Sequence, residues 1–113
     1  MCTETTLNLL LKEAQVGLSK VFGSKLLNVV LYGSYARGDY DDESDIDIMA
    51  LVDMDRDDLN KYRRCVSEMA NDIDLKYNVL LSIKLQDKPN FNKYKDSIPL
   101  YQNIVKEGLR INV

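Results

Sequence analysis

The chain has 113 residues, 45% of them hydrophobic and 29% charged, with a formal net charge of −3. That is the size of one domain, residues 1–113, built around a single core, and its charge argues against a general nucleic-acid binder, which relies on neutralising phosphates. There is no histidine, which excludes Ser-His-Asp and Cys-His catalysis and zinc sites built on imidazole.

In chain order, Leu7, Leu10, Leu11, Ala14, Leu18, Val21 and Phe22 recur at helical spacing and predict an amphipathic helix over residues 4–22, stopped by Gly23. Leu26–Tyr32 (LLNVVLY) is nearly all apolar, as a strand covered on both faces should be. Ile46–Val52 (IDIMALV) reads the same way apart from Asp47, and an Asp- and Gly-rich turn lies between the two. A second helix is predicted from about Arg56 to Asp74, with Leu59, Tyr62, Val66, Met69 and Ile73 on one face. An Asp among residues 53–57 would cap it.

Tyr77–Leu85 (YNVLLSIKL) reads as a third strand. Pro89 and Pro99 stand where helices can begin. Leu100, Ile104 and Val105 suggest a short helix ending at Gly108, and Leu109–Val113 alternates like an edge strand. The predicted order α-β-β-α-β-α-β, with no repeat and no internal linker, is that of a small α/β (α+β) domain. No run approaches the roughly eighteen apolar residues of a membrane span. The start MCTETTLNLL has no basic n-region and no cleavage site, so a cytoplasmic protein is expected. Cys2 and Cys65 stand far apart with no other thiol nearby, so they are expected to be reduced and to hold no metal.

The chemistry concentrates in LYGSYARGDYDDESDIDIMALV, residues 31–52. Gly33 ends a strand, where glycine permits positive φ and close approach of the backbone to a ligand. Exposed amides there, with the Ser34 hydroxyl beside them, can form an anion-binding concavity, for which phosphate is the natural candidate. Gly33 and Gly38 have the glycine spacing of a P-loop, but Asp39 and Tyr40 stand where Lys and Ser/Thr are required, so this is not a Walker A motif.

Asp45 and Asp47 lie two apart, so on a strand both side chains point the same way. Their Cα atoms would be about 6–7 Å apart at ~3.3 Å per residue. Carboxylates at that spacing can converge on one or two Mg²⁺ ions for in-line phosphoryl transfer. Ten of the eighteen acids fall between Asp39 and Asp58, with Arg56 as the one base. That field attracts divalent cations and repels bare nucleotide, so metal and nucleotide should enter together. Asp39, Asp41, Asp42 and Glu43 read as a solvated charge run. A calcium loop of the EF-hand type is disfavoured, because the glycine at its sixth position is missing and a strand follows. Asp47 differs from these acids, since a carboxylate inside an apolar strand is costly without a partner.

Gly33-Ser34, ten intervening residues and Asp45-Ile46-Asp47 resemble the GS-x10-D-x-D signature of the polymerase β-like nucleotidyltransferase superfamily. The fuller string GSYARGDYDDESDIDIMALVD is similar to the minimal nucleotidyltransferases, whose usual form is GS-x-A-R-G, a variable turn and S-D-x-D-hydrophobic. The resemblance implies a small nucleotidyltransferase fold, with a mixed sheet of about four strands flanked by helices. It also implies that Gly33 and Ser34 hold the terminal phosphates of a nucleoside triphosphate, and that Arg37 pairs with phosphate or with a carboxylate of the turn. Asp45 and Asp47 would be the catalytic ligands of Mg²⁺ in a two-metal site, and the reaction would transfer AMP from ATP to a hydroxyl.

Members of the superfamily normally add a third carboxylate from a later strand. Here Lys76-Tyr77-Asn78-Val79 places Asn78 there; Asn offers a neutral oxygen and cannot act as a base. Asp74 would substitute if the strand register differs. The resemblance further implies a helical HEPN-type toxin as partner, with AMP placed on one of its tyrosines. The chain cannot itself be the RNA-cutting half of such a pair, whose motif needs a histidine.

Two other readings stand beside this one. The first is a non-catalytic nucleotide- and metal-binding module that neutralises its partner by contact, supported by Asn78. The second is a transferase for small hydroxylated molecules. A homo-oligomer stays open. Tyr35 and Tyr40 flank the motif and are read either as structural fill or as stacking partners for a base.

Overall fold

The computed structural model describes residues 4–33, 35, 38, 45–94 and 109–110. Helix α1 spans Glu4–Phe22 and buries Leu10, Leu11, Ala14, Leu18 and Phe22 along one stripe, the periodicity legible in the sequence. It stops at Gly23, whose φ of +57° suits glycine after a helix. A 3₁₀ turn, Gly23–Lys25, leads into β1, Leu26–Tyr32, and β2 spans Ile46–Val52. All three main elements have the predicted bounds.

The predicted second helix is two helices, α2 over Arg56–Asn60 and α3 over Arg63–Tyr77. Asp55 caps α2, accepting a 2.8 Å hydrogen bond from the Asp58 amide. Lys61 and Tyr62 form the break, with the Tyr62 amide donating back to the Leu59 carbonyl at 3.0 Å. The spacing of Leu59, Tyr62, Val66, Met69 and Ile73 runs on unbroken across that turn, so the apolar pattern does not mark it. Tyr62 packs its ring 5.2 Å from that of Phe22, which ties the break to the end of α1.

The third strand is displaced from its expected place. Helix α3 continues through Tyr77, and β3 occupies Leu81–Asp87 instead of Tyr77–Leu85. Contacts with α1 hold the extra turn of helix. Glu13 Oε1 accepts hydrogen bonds from Lys76 Nζ at 2.6 Å and from the Tyr77 hydroxyl at 2.8 Å. Asn78 then ends the helix in the left-handed conformation, φ 54° and ψ 53°, which Asn tolerates better than most residues. At the far end of β3, Asp87 Oδ2 accepts from the Asn90 amide at 3.0 Å and starts α4, Lys88–Tyr94. Pro89 sits in its first turn, as expected. Pro99 and the predicted helix at Leu100–Gly108 lie outside the described residues. Strand β4 comprises Leu109–Arg110.

The sheet order is β3-β2-β1-β4: β2 pairs antiparallel with β1 and parallel with β3, and β4 pairs antiparallel with β1. The expected mixed sheet therefore has three full strands and a two-residue fourth. On one face, Val29, Leu31, Ile46, Ile48, Ala50, Val52, Leu81 and Leu85 form the core with the buried stripes of α1 and α3. Side chains such as Leu10, Leu18, Ile46 and Ile48 are fully buried, and each contributes about 1.5–3 kcal/mol of transfer free energy. Period-two alternation sends Tyr32, Asp47 and Ser82 to the opposite face. The core holds one face of the sheet, and the acidic chemistry lies on the other. No described helix is long and apolar enough to cross a membrane.

Candidate active site

Where β1 ends, Gly33 turns the chain with φ +75°. A Cβ on Gly33 would lie 2.8 Å from Asp47 Oδ2, closer than such contacts allow. Glycine is thus needed twice here, for its backbone conformation and for the approach of the turn to the carboxylate. Asp47 is brought there by the antiparallel register, which pairs it with Tyr32, the residue before the glycine. Asp45 lies one step before β2 and is exposed, whereas Asp47 is half-buried.

Asp47 is pushed above its ordinary pKa, first by burial and then by the charge of Asp45. The Tyr32 phenol is also pushed up, by burial first and by Asp47 second. Ion pairs between described residues form at Asp58–Lys61, Glu68–Arg64 and Glu13–Lys76, and none of these involves Asp45 or Asp47. A half-buried carboxylate beside a second one, with no counter-charge among the described residues, is an arrangement that a bound cation relieves. The donor set, hard carboxylate oxygens, fits Mg²⁺.

Of the other residues singled out in the sequence, Ser34 and Arg37 lie outside the described residues, as do Tyr40 and the acidic turn at 39–44. Tyr35 is buried within the core cluster, so its ring serves packing and is not free to stack on a base. Asn78 is not on the third strand: it is the exposed left-handed cap of α3. Asp74 precedes it within α3, and its Oδ1 accepts a 2.7 Å hydrogen bond from the Leu81 amide. Among the described residues no third acid or thiol joins Asp45 and Asp47 in a group able to hold a metal ion. The β3 residue that does lie beside Asp47 is Ser82. Sequence reasoning missed it, because placing the strand four residues early hides the register.

The family model described as "Polymerase beta, Nucleotidyltransferase" matches residues 18–112, a span that includes the Gly33 turn and both aspartates. The chain belongs to this family. This nucleotidyltransferase is 34% identical over 98 residues to MJ0604 of Methanocaldococcus jannaschii, named as a candidate protein adenylyltransferase, a match covering 87% of this chain and 90% of the relative. MJ0141 of the same organism, also named as a candidate protein adenylyltransferase, is 35% identical over 92 residues, or 81% of this chain and 91% of the relative. Among solved structures, a candidate nucleotidyltransferase from Sulfolobus solfataricus superposes with a TM-score of 0.54 at 25% identity, covering 90% of this chain and 78% of that one. A toxin–antitoxin structure with AMP-PNP matches with a TM-score of 0.53 at 21% identity, over 88% of this chain and 70% of that one, a likeness of fold.

Proposed function

We propose that this nucleotidyltransferase moves AMP from Mg·ATP onto a hydroxyl side chain of a partner protein. The observation that carries the reading is the pair Asp45 and Asp47, one of them half-buried, uncompensated among the described residues and pressed against the Gly33 turn. In this reading Asp45 and Asp47 hold Mg²⁺, which supplies charge neutralisation at the phosphates and the leaving pyrophosphate. The Gly33 backbone leaves room for the triphosphate to approach, and Ser34 and Arg37 bind its terminal phosphates. The acceptor oxygen attacks the α-phosphorus, the bond from that phosphorus to the oxygen bridging to the β-phosphate breaks, and pyrophosphate leaves. The hydroxyl proton is released to solvent in the net reaction.

The M. jannaschii relatives, named as candidate protein adenylyltransferases, support both AMP as the transferred group and protein as the acceptor. A helical HEPN-type toxin is the partner class in keeping with the sequence motif, and a complex of toxin and antitoxin with AMP-PNP is what the fold neighbour was crystallised as. The test incubates the chain with α-labelled ATP, Mg²⁺ and the product of the adjacent gene. Wild type should label the partner. Asp47→Ala should reduce label to background while the complex still co-elutes, and label that survives this substitution would refute the assigned site.

A second reading, a module that neutralises its partner by contact alone, is favoured by one observation: no third acid joins the pair among the described residues. It predicts an unlabelled complex from wild type and Asp47→Ala alike.

A further inference from the structure

The parallel register of β2 and β3 sets Ser82 directly beside Asp47. Neighbouring strands lie about 4.7–4.9 Å apart, and paired residues project to the same face. The Ser82 hydroxyl therefore opens beside the Asp47 carboxylate, on the face opposite the core, and it is exposed. Tyr32 flanks Asp47 on the other side. The central carboxylate is thus bracketed, at one level of the sheet, by a phenol and an aliphatic hydroxyl. Leu80, two residues before Ser82 and 64% exposed, offers a cation no ligand. Asp74 spends an oxygen on the Leu81 amide, and Asn78 faces solvent from the end of a helix.

We propose that Ser82 is the third side chain of the cation site. Its neutral hydroxyl limits the fixed charge to two carboxylates, so a divalent cation is held firmly only together with a triphosphate. This rests on the assignment of Asp45 and Asp47 as metal ligands. A hydroxyl offers lone pairs and no charge, whereas affinity at oxygen-ligand sites rises with the count of charged ligands. The triphosphate oxygens supply the missing negative charge. Cation and nucleotide then bind as one unit, and the empty site discriminates against free divalent ions.

The test is a calorimetric titration of the purified chain with Mn²⁺ alone and then with Mn²⁺ in the presence of AMP-PNP. The chains compared are wild type, Ser82→Asp, Asn78→Asp and Asp47→Ala. Ser82→Asp and Asn78→Asp add the same charge at different places, so general electrostatics cancels between them. Ser82→Asp should tighten Mn²⁺ alone by roughly tenfold or more, Asn78→Asp should leave it within about twofold, and AMP-PNP should strengthen Mn²⁺ binding far more in wild type than in Ser82→Asp. Equal tightening by both variants, or none in Ser82→Asp while Asp47→Ala abolishes binding, would overturn the proposal. If Asp47→Ala leaves Mn²⁺ binding unchanged, the metal assignment itself fails, and this proposal with it.

Ser82→Cys provides a second readout should Ser82→Asp fold poorly. With Cd²⁺ it should add thiolate-to-metal absorption above the Cys2 and Cys65 background, and that increment should vanish when Asp47→Ala is combined with it. An increment independent of Asp47 would count against a shared site.

Discussion

Gly33→Ala tests the join between the turn and the carboxylate. An L-residue in the left-handed region costs about 1–2 kcal/mol, partly offset by about 0.4–1 kcal/mol from the lower entropy of the unfolded chain. Gly23 and Gly38 share this backbone term, with φ of +57° and +83°, yet a Cβ on either meets nothing within 4 Å among the described residues. At Gly33 the new Cβ would fall 2.8 Å from Asp47 Oδ2, well inside the 3.4 Å at which ordinary contact begins. Displacing that side chain from its rotamer adds about 0.5–1.5 kcal/mol. Gly33→Ala should thus lose about 1–2.5 kcal/mol, a fall in unfolding midpoint on the order of 5–10 °C, and Gly23→Ala and Gly38→Ala about half as much. The assay pairs thermal unfolding with titration of Mg·ATP, which should weaken in Gly33→Ala alone. If Gly33→Ala costs no more than its two controls and binds Mg·ATP as wild type does, the turn does not position Asp47.

In divalent-free buffer, Asp47 should make stability depend on pH. Its folded carboxyl titrates above the unfolded one, so the native state keeps a proton that the unfolded chain has already lost. The penalty is absent below the unfolded pKa, grows as pH rises between the two values and is complete above the folded one. Asp47→Asn should flatten this part of the curve of unfolding midpoint against pH; an unchanged slope would contradict the burial argument. Asp74→Ala leaves the amide of buried Leu81 without its acceptor and should cost about 1–3 kcal/mol in urea unfolding. Mn²⁺ affinity should not change, and a parallel loss would place Asp74 in the site after all.

The elements written in local patterns were legible in the sequence alone. The bounds of α1, β1 and β2 follow from unbroken apolar periodicity and a stopping glycine, signals carried within each segment. The meeting of Gly33 and Asp47 left a trace in the sequence too, because a glycine at a strand end and an acid inside an apolar strand each depart from a local rule. The helix beyond Asp74 was not legible. Tyr77 and Asn78 suit a strand or a turn as well as a helix end, and the contacts made there, Lys76 and Tyr77 on Glu13, join residues more than sixty positions apart.

Residue types and their spacing along the chain therefore determined the family motif and the face on which its acids fall. Tertiary structure alone decided which residue of β3 stands beside Asp47. In a parallel pair the apolar pattern within a strand decides which face each residue takes, while the length and packing of the connecting segment decide between registers that differ by two. One extra helical turn sets Ser82 rather than Asn78 beside Asp47.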